Sequence, residues 1–454
     1  MKLGQIGEWA EIPLDVQEII LKFATENQII MEYRERIVDR QLKEQLSFMG
    51  GVLIEGPKWC GKTTSAEHMA GSILYLNDPE QQSAYLTLVE SQPSFLLEGA
   101  VPRLVDEWQM APKLWDTARF LIDRRKQPGQ FIFTGSSVPA DTSMIDHSGA
   151  GRFAWLRMRP MTLWEAGASN GAVSLASLFS GTAPAAAATQ KTDLGAVATL
   201  LCRGGWPGAL EMGDEAALKI PYNYVDAVCK TDISRVDGVR RDASFTRRLL
   251  RSYARNQGQQ VSIAALYQDL VANEGGALSE DTIASYITAL KKVFVVEDVE
   301  AWNPNLRSRT AIRSSDTRYF VDPSIAAAAL GVGPADLMND LNTFGLLFET
   351  LCVRDLRVFA EALGGHVYHY RDKNGLEADA VVHLRDGRYG LVEVKLGGET
   401  LINEGAASLL TLARKIDTTK MKDPSFLMVL TAVGDIAYRR PDGVMVVPVR
   451  SLRD

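Results

Sequence analysis

The sequence has no uninterrupted apolar run near the ~18 residues that a membrane-spanning helix needs, and no stretch reads as a secretory leader. No membrane role is expected, and the chain reads as cytoplasmic. Cysteine is scarce. The four present, Cys60, Cys202, Cys229 and Cys352, are scattered without CxxC spacing, which excludes a metal knuckle or dithiol redox motif and fits a reduced compartment. Excess positive charge is missing as well: a net charge of −7 over 454 residues argues against a uniformly basic nucleic-acid coat, while local basic patches stay compatible with it. The length suggests about three domains.

What is present begins with Gly56-Pro57-Lys58-Trp59-Cys60-Gly61-Lys62-Thr63-Thr64, directly after the apolar run Val52-Leu53-Ile54. It fits G-x-x-x-x-G-K-[ST] at every specified position. Such a loop turns successive backbone N–H groups inward around phosphates, Lys62 reaches the outer phosphates, and the Thr63 hydroxyl is placed to hold Mg²⁺. The following helix adds its positive N-terminal end. ATP and Mg²⁺ are the expected ligands, and Cys60 is expected to be a packed, inert thiol.

Residues 1–48 carry apolar positions at helical spacing and read as a helical collar. Over 49–165 strands alternate with helices, which predicts a parallel sheet covered on both faces: strands at 52–54, 72–77, 103–105 and 131–133, helices at 80–90 and 113–126. The third strand runs into Asp106-Glu107. There Asp106 can hold Mg²⁺ through water and Glu107 can polarise the attacking water. Ser136, after the fourth strand, is a candidate sensor of the γ-phosphate. Arg152, ahead of the strand-like 153–158, is a candidate arginine finger, in cis or from a second copy of the chain; a loop arginine paired with a carboxylate is the alternative.

Residues 166–198, dominated by Ala, Gly, Ser and Thr, read as a low-complexity linker or mobile excursion. From 199 to 340 short helices are expected at 245–256, 263–272 and 281–292, followed by strand-like pieces at 293–299 and 319–322. Three helices and a hairpin make a winged helix, a fold that can enter a DNA groove. Arg240, Arg241, Arg247, Arg248, Arg251 and Arg255 lie on the approach, with Arg307, Arg309 and Arg313 in the expected wing. They could neutralise DNA phosphates, or pair with acidic neighbours beneath a lid.

Residues 341–454 form another α/β unit. An apolar helix at 344–363 contains Glu349, and strands are expected at 367–370, 380–384 and 389–394. Glu393 and Lys395 project to one side of their strand because side chains alternate, and Asp379, just before a neighbouring strand, can join them. Two carboxylates and a lysine can hold divalent ions and steady a hydrolytic water; an exposed strand face of alternating charge is the plain alternative.

Taken together, GPKWCGKTT, VDEWQ at 105–109, FTGSS at 133–137, GRFAWLRMRPMTLWE at 151–165, RGGWPGAL at 203–210, FGLLFETL at 344–351, and YRDKNGLEADAVV followed by LVEVK within 370–395 carry a resemblance. The chain resembles bacterial and archaeal AAA-type ATPases that join an N-terminal P-loop domain to a C-terminal domain related to restriction-endonuclease-like nucleases. The resemblance implies Lys62, Thr63, Asp106 and Glu107 as the ATP and Mg²⁺ machinery, with Arg152 at the usual arginine-rich turn. It also implies that Glu349, Asp379, Glu393 and Lys395 match the PD-(D/E)XK pattern, with the carboxylates as metal ligands. The expected fold class is thus α/β: a P-loop AAA-type parallel sheet, a winged-helix middle domain and a restriction-endonuclease-like C-terminal domain. The expected function is ATP hydrolysis coupled to a nuclease-like domain acting on DNA. The alternative is a nucleotide-driven switch or scaffold whose C-terminal domain binds a protein partner.

Overall fold

Five short strands form the first sheet: β1 (Gly51–Glu55), β2 (Ser72–Tyr75), β3 (Arg103–Asp106), β4 (Phe131–Gly135) and β5 (Phe153–Arg157), in the order β2-β3-β4-β1-β5 with every pair parallel. The computed structural model describes residues 33–136, 148–271, 279–303 and 316–454. The collar before residue 33 and the expected wing arginines Arg307, Arg309 and Arg313 lie outside the described residues. The strands at 52–54, 103–105 and 131–133 are as the apolar runs predict; Val52, Ile54, Leu104, Phe131, Ile132 and Phe133 are fully buried. Continuous apolar strands are what a sheet covered on both faces requires.

Helices Lys62–Met69, Gln82–Ser91 and Lys113–Arg125 make the crossovers. Trp115, on the last of these, stacks on Phe153 with ring centroids 4.0 Å apart and meets Phe133 edge-on. Opposite them, helix Ile37–Leu46 buries Val38 and Leu42 in a cluster with Val52 and Ile54. The parallel arrangement puts the C-terminal ends of β1, β3 and β4 on one edge. Ligands collect at that edge in open α/β sheets.

The span expected to be a linker is structured. It contributes β6 (Val173–Ser174), a helix at Leu175–Ser180 capped by the Ser174 side chain, and β7 (Ala186–Ala188). Alanines predict little on their own, but a strand needs only backbone partners, and β7 finds them on the C-terminal sheet. Helices Ala243–Arg255, Ile263–Val271 and Glu280–Lys292 follow, the last capped by Ser279 as its sequence predicts. Antiparallel bridges Val296↔Phe320 and Val299↔Thr317 come next.

A second sheet closes the chain: β8 (Gly365–Arg371), β9 (Glu377–Leu384), β10 (Tyr389–Lys395), β11 (Phe426–Thr431), β12 (Ile436–Arg439) and β13 (Met445–Pro448), joined by β7 in the order β7-β12-β13-β11-β10-β9-β8. It is mixed, with β10, β11 and β13 parallel and the remaining pairs antiparallel. The short β14 (Leu452–Arg453) returns to pair with β6. Arg36–Asp454 cohere as one unit. The helix Leu341–Ala362, with Phe344, Leu347, Phe348 and Leu351 buried, joins the core between the middle helices and this sheet.

Candidate functional site

The phosphate loop turns on steric necessity. A Cβ at Gly56 would stand 2.0 Å from the Met158 carbonyl oxygen, so no other residue fits there. Trp59 and Gly61 take positive φ (65° and 100°), and Lys62 opens the following helix. From outside, the buried Arg36 donates to the Cys60 carbonyl at 2.7 Å and to the Arg159 carbonyl at 2.8 Å, and pairs with Glu165 at 3.0 Å. Cys60 is buried, its thiol 3.6 Å from the Met158 carbonyl, as expected of a packed group.

Lys62 Nζ donates to the Pro57 carbonyl at 2.8 Å. The Thr63 hydroxyl donates to Asp106 Oδ1 at 2.8 Å, and Thr134, opposite Asp106 in the β3–β4 register, donates to the same oxygen. Thr64 follows on the same helix. Glu107 lies just beyond β3 in the left-handed region (φ 56°, ψ 45°), a conformation costing roughly 1–3 kcal/mol that concentrates at functional sites. Its carboxylate accepts from Gln109 and from the Ser136 hydroxyl, the latter at 3.2 Å.

Glu107 and Ser136 line a cavity of about 490 Å³ between the phosphate loop and the middle helices. Its far wall brings in residues that no local motif marks. Lys58 of the loop pairs with Asp232 at 2.6 Å, and Asp232 ends a single π-helical turn, Val228–Asp232. Arg235, one helical turn on, lines the same cavity, and its side chain has neither an ion pair nor a hydrogen-bond partner among the described residues.

Arg152 belongs elsewhere. It precedes β5, and its carbonyl accepts from the N–H of Gly51, the first residue of β1, whereas the phosphate loop leaves the last, Glu55. That is the opposite edge of the sheet. The guanidinium pairs with Asp123 at 2.9 Å on the surface, so a cis role at the loop is corrected by strand direction.

The C-terminal residues do come together. Asp379 lies inside β9 rather than before it; pairing of β9 with β10 stops at Ala380↔Val392, and Asp379 Oδ2 accepts from the Val394 N–H at 2.7 Å. Lys395 Nζ pairs with Glu393 Oε1 at 3.1 Å, while Glu393 Oε2 is buried with no hydrogen-bond partner. Glu349 accepts from the Tyr319 hydroxyl. Burial first, then the Asp379 charge, pushes Glu349 above the usual carboxylate range and Glu393 up to about 8; burial also raises Asp379. Burial opposes the Lys395 charge, but Asp379 and Glu393 more than offset it, so its pKa rises. Among the described residues no three His, Cys, Asp or Glu side chains are arranged to hold a metal, so the expected Glu349–Asp379–Glu393 ligand set is not preformed. Each carboxylate is instead engaged by Tyr319, a backbone N–H or Lys395.

Of the arginines expected to meet DNA, Arg241, Arg247 and Arg255 pair with Asp237, Asp226 and Asp269, and Arg248 donates to Ser244. Pairing with acidic neighbours is thus seen for Arg241, Arg247 and Arg255, while the partner of Arg248 is a neutral hydroxyl.

Residues 50–167 match an AAA domain family. This segment is a nucleotide-binding P-loop domain of the AAA ATPase type. Residues 195–336 and 344–452 each match a domain of unknown function, DUF8612 and DUF4143. Uncharacterised proteins of Mycobacterium bovis and Mycobacterium tuberculosis are both 25% identical over 363 residues, covering 79% of this chain and 73% of each relative. Among solved structures, a Walker-type ATPase of Pyrococcus abyssi aligns at 16% identity and a TM-score of 0.37, over 65% of this chain and 95% of its own. The Aeropyrum pernix ORC1 protein in complex with DNA aligns at 15% identity and a TM-score of 0.23, over 68% and 96%. Overlap that loose says nothing about activity. No helix among the described residues is long and apolar enough to cross a membrane.

Proposed function

We propose that the chain binds and hydrolyses ATP, with Lys62 holding the outer phosphates, Glu107 polarising the attacking water and Ser136 sensing the γ-phosphate. The observation that carries this reading is the meeting, on one sheet edge, of the Thr63–Asp106–Thr134 cluster with the Glu107–Ser136 pair that lines the adjoining cavity. Hard oxygen donors within 2.8 Å of one another fit Mg²⁺. Thr63, and Asp106 through water, would hold the ion, which when bound neutralises charge on the β- and γ-phosphate oxygens. Lys62 would leave the Pro57 carbonyl for phosphate, a stronger, charge-assisted partner. Arg235 would supply the further cation for which Arg152 is on the wrong edge.

The test is ATP turnover by the purified chain with Mg²⁺, beside Lys62→Ala and Glu107→Gln. Turnover by the parent, with Glu107→Gln binding ATP without hydrolysing it, supports the reading; equal turnover by both refutes the role of Glu107.

A second reading, supported by the convergence of Asp379, Glu393 and Lys395 at the β9–β10 edge, is a metal-dependent phosphodiester-cleaving site of the PD-(D/E)XK type acting on DNA. The unpartnered Glu393 Oε2 fits a cation, which Asp379 and Glu393 would hold once both ionise. A bound divalent ion supplies Lewis acidity to the scissile phosphate. Cleavage of duplex or branched DNA that needs Mg²⁺ or Mn²⁺ and is lost in Asp379→Ala and Lys395→Ala supports it. Intact DNA under all these conditions favours a nucleotide-driven scaffold.

A further inference from the structure

The recess beside Glu349 and Asp379 is half open but narrow: it holds about 30 Å³, room for one or two water molecules and too little for a phosphodiester. The C-terminal sheet forms one side of it, and the other comes from the middle region, through Gly258, Gln260, Thr317 and Tyr319. The Tyr319 hydroxyl is bonded to Glu349, and Gly258 lies against the same carboxylate so closely that a Cβ there would be 2.9 Å and 3.0 Å from its two oxygens. Two backbone hydrogen bonds, Gly258 N to Arg318 O at 3.0 Å and Arg318 N to Gln259 O at 3.1 Å, clip the two covering segments together.

This cover is tied to the phosphate loop by an unbroken run of contacts. The Glu297 N–H donates to the Tyr319 carbonyl at 2.9 Å, and the Glu297 carboxylate takes two hydrogen bonds, at 2.8 and 2.7 Å, from the buried Arg159. Arg357, on the helix that carries Glu349, also donates to the Glu297 carbonyl, at 2.8 Å. Arg159 adjoins Met158, whose carbonyl abuts Gly56, and its own carbonyl is held by the same Arg36 that grips Cys60. Burial opposes the Glu297 charge, but Arg159 and Arg357 more than offset it and hold its carboxyl well below the ordinary range. The pair thus stays ionised, and buried ion pairs resist partial displacement.

We propose that the 257–260 segment and Tyr319 form a plug over the C-terminal carboxylate cluster, and that nucleotide in the phosphate loop releases it through Arg159 and Glu297. The proposal rests on the reading of the phosphate loop as an ATP site. In the closed loop Lys62 is on Pro57, Thr63 is on Asp106 and Lys58 is on Asp232. A triphosphate competes for the first two, and it enters the cavity that the third spans. Displacing the loop moves Cys60 and Gly56 against Arg36 and Met158, and Arg159 carries the shift through Glu297 to the bridged segment that holds Tyr319.

Hydrogen exchange on the full chain tests this, with and without a non-hydrolysable ATP analogue and Mg²⁺. Exchange at Gly258, Glu297 and Arg318 should quicken by about tenfold or more with the analogue, as local opening predicts, and should not respond in Lys62→Ala. Tyr319→Phe, which removes only the hydroxyl on Glu349, should quicken the same amides without nucleotide and leave ATP turnover unchanged. Unchanged or slower exchange in wild-type protein that binds the analogue, as read by its fluorescence, overturns the plug. Absence of analogue binding overturns the ATP-site reading and the plug with it, whereas release without DNA cleavage counts only against the nuclease reading.

Discussion

Lys62 Nζ sits 2.8 Å from the Pro57 carbonyl oxygen, so the ammonium proposed to hold phosphate is held by the loop it belongs to. Lys62 is only 7% exposed. Lys62→Ala removes a buried positive charge and one hydrogen bond within the loop while leaving the β1 strand intact. ATP affinity is expected to fall about 100-fold or more, roughly 3 kcal/mol, in a titration with a fluorescent analogue, while the far-ultraviolet spectrum stays that of the parent.

Arg152 and Arg235 should behave oppositely. Arg152→Ala breaks an exposed, solvent-screened pair with Asp123 and should leave kcat unchanged in a homogeneous preparation. Arg235→Ala removes the guanidinium that lines the cavity beside the phosphate loop and should lower kcat by about 10²-fold or more with KM little changed. Steady-state kinetics of both variants separates the two sites, and partial rescue by Arg235→Lys would mark a charge effect.

These two arginines also show where sequence stops being informative. The loop, the acidic pair after β3 and the Ser279 cap are written in consecutive residues, so local rules find them. Arg152 is close to the loop's strand in the sheet, yet strand direction sends it to the far edge. Arg235 reaches the phosphate loop across well over a hundred residues of chain, and Tyr319 meets Glu349 from a different structural region; no spacing rule pairs either with its site. Ala186–Ala188 looks like linker because alanine carries no pattern; its pairing with Ile436–Tyr438 depends on a strand that comes 250 residues later in the chain. Asp379, Glu393 and Lys395 are legible as a group from strand alternation, but their engagement by Val394, by one another and, through Glu349, by Tyr319 is tertiary.

Glu393 titrates at about 8, above the 4.5 of an ordinary glutamate. Between those values the folded protein keeps a proton that the unfolded chain has released, so this group's contribution to stability falls as pH rises through that window and is fully present only below it. Glu393→Gln stays neutral throughout. Thermal denaturation should show the parent losing more Tm than the variant between about pH 5 and pH 8, and parallel curves would contradict the buried, raised-pKa description.

Gly258 takes φ +65° with the Glu349 carboxylate at the position of its missing side chain. Gly258→Ala adds backbone strain and a clash, each worth on the order of 1 kcal/mol or more. The variant should lower Tm by several degrees by calorimetry, and a stability equal to the parent would mean that the 257–260 segment does not press on Glu349.

The central claim is that Glu107, held by Gln109 and Ser136 at the edge beside the phosphate loop, activates water for attack on ATP. The most direct measurement is single-turnover ATP hydrolysis by Glu107→Gln beside the parent, at saturating nucleotide and Mg²⁺, with ATP affinity measured in the same preparations. The account predicts affinity within a few-fold of the parent and a hydrolysis rate lower by about 10²-fold or more, the size of a general-base contribution; hydrolysis at the parental rate would contradict it.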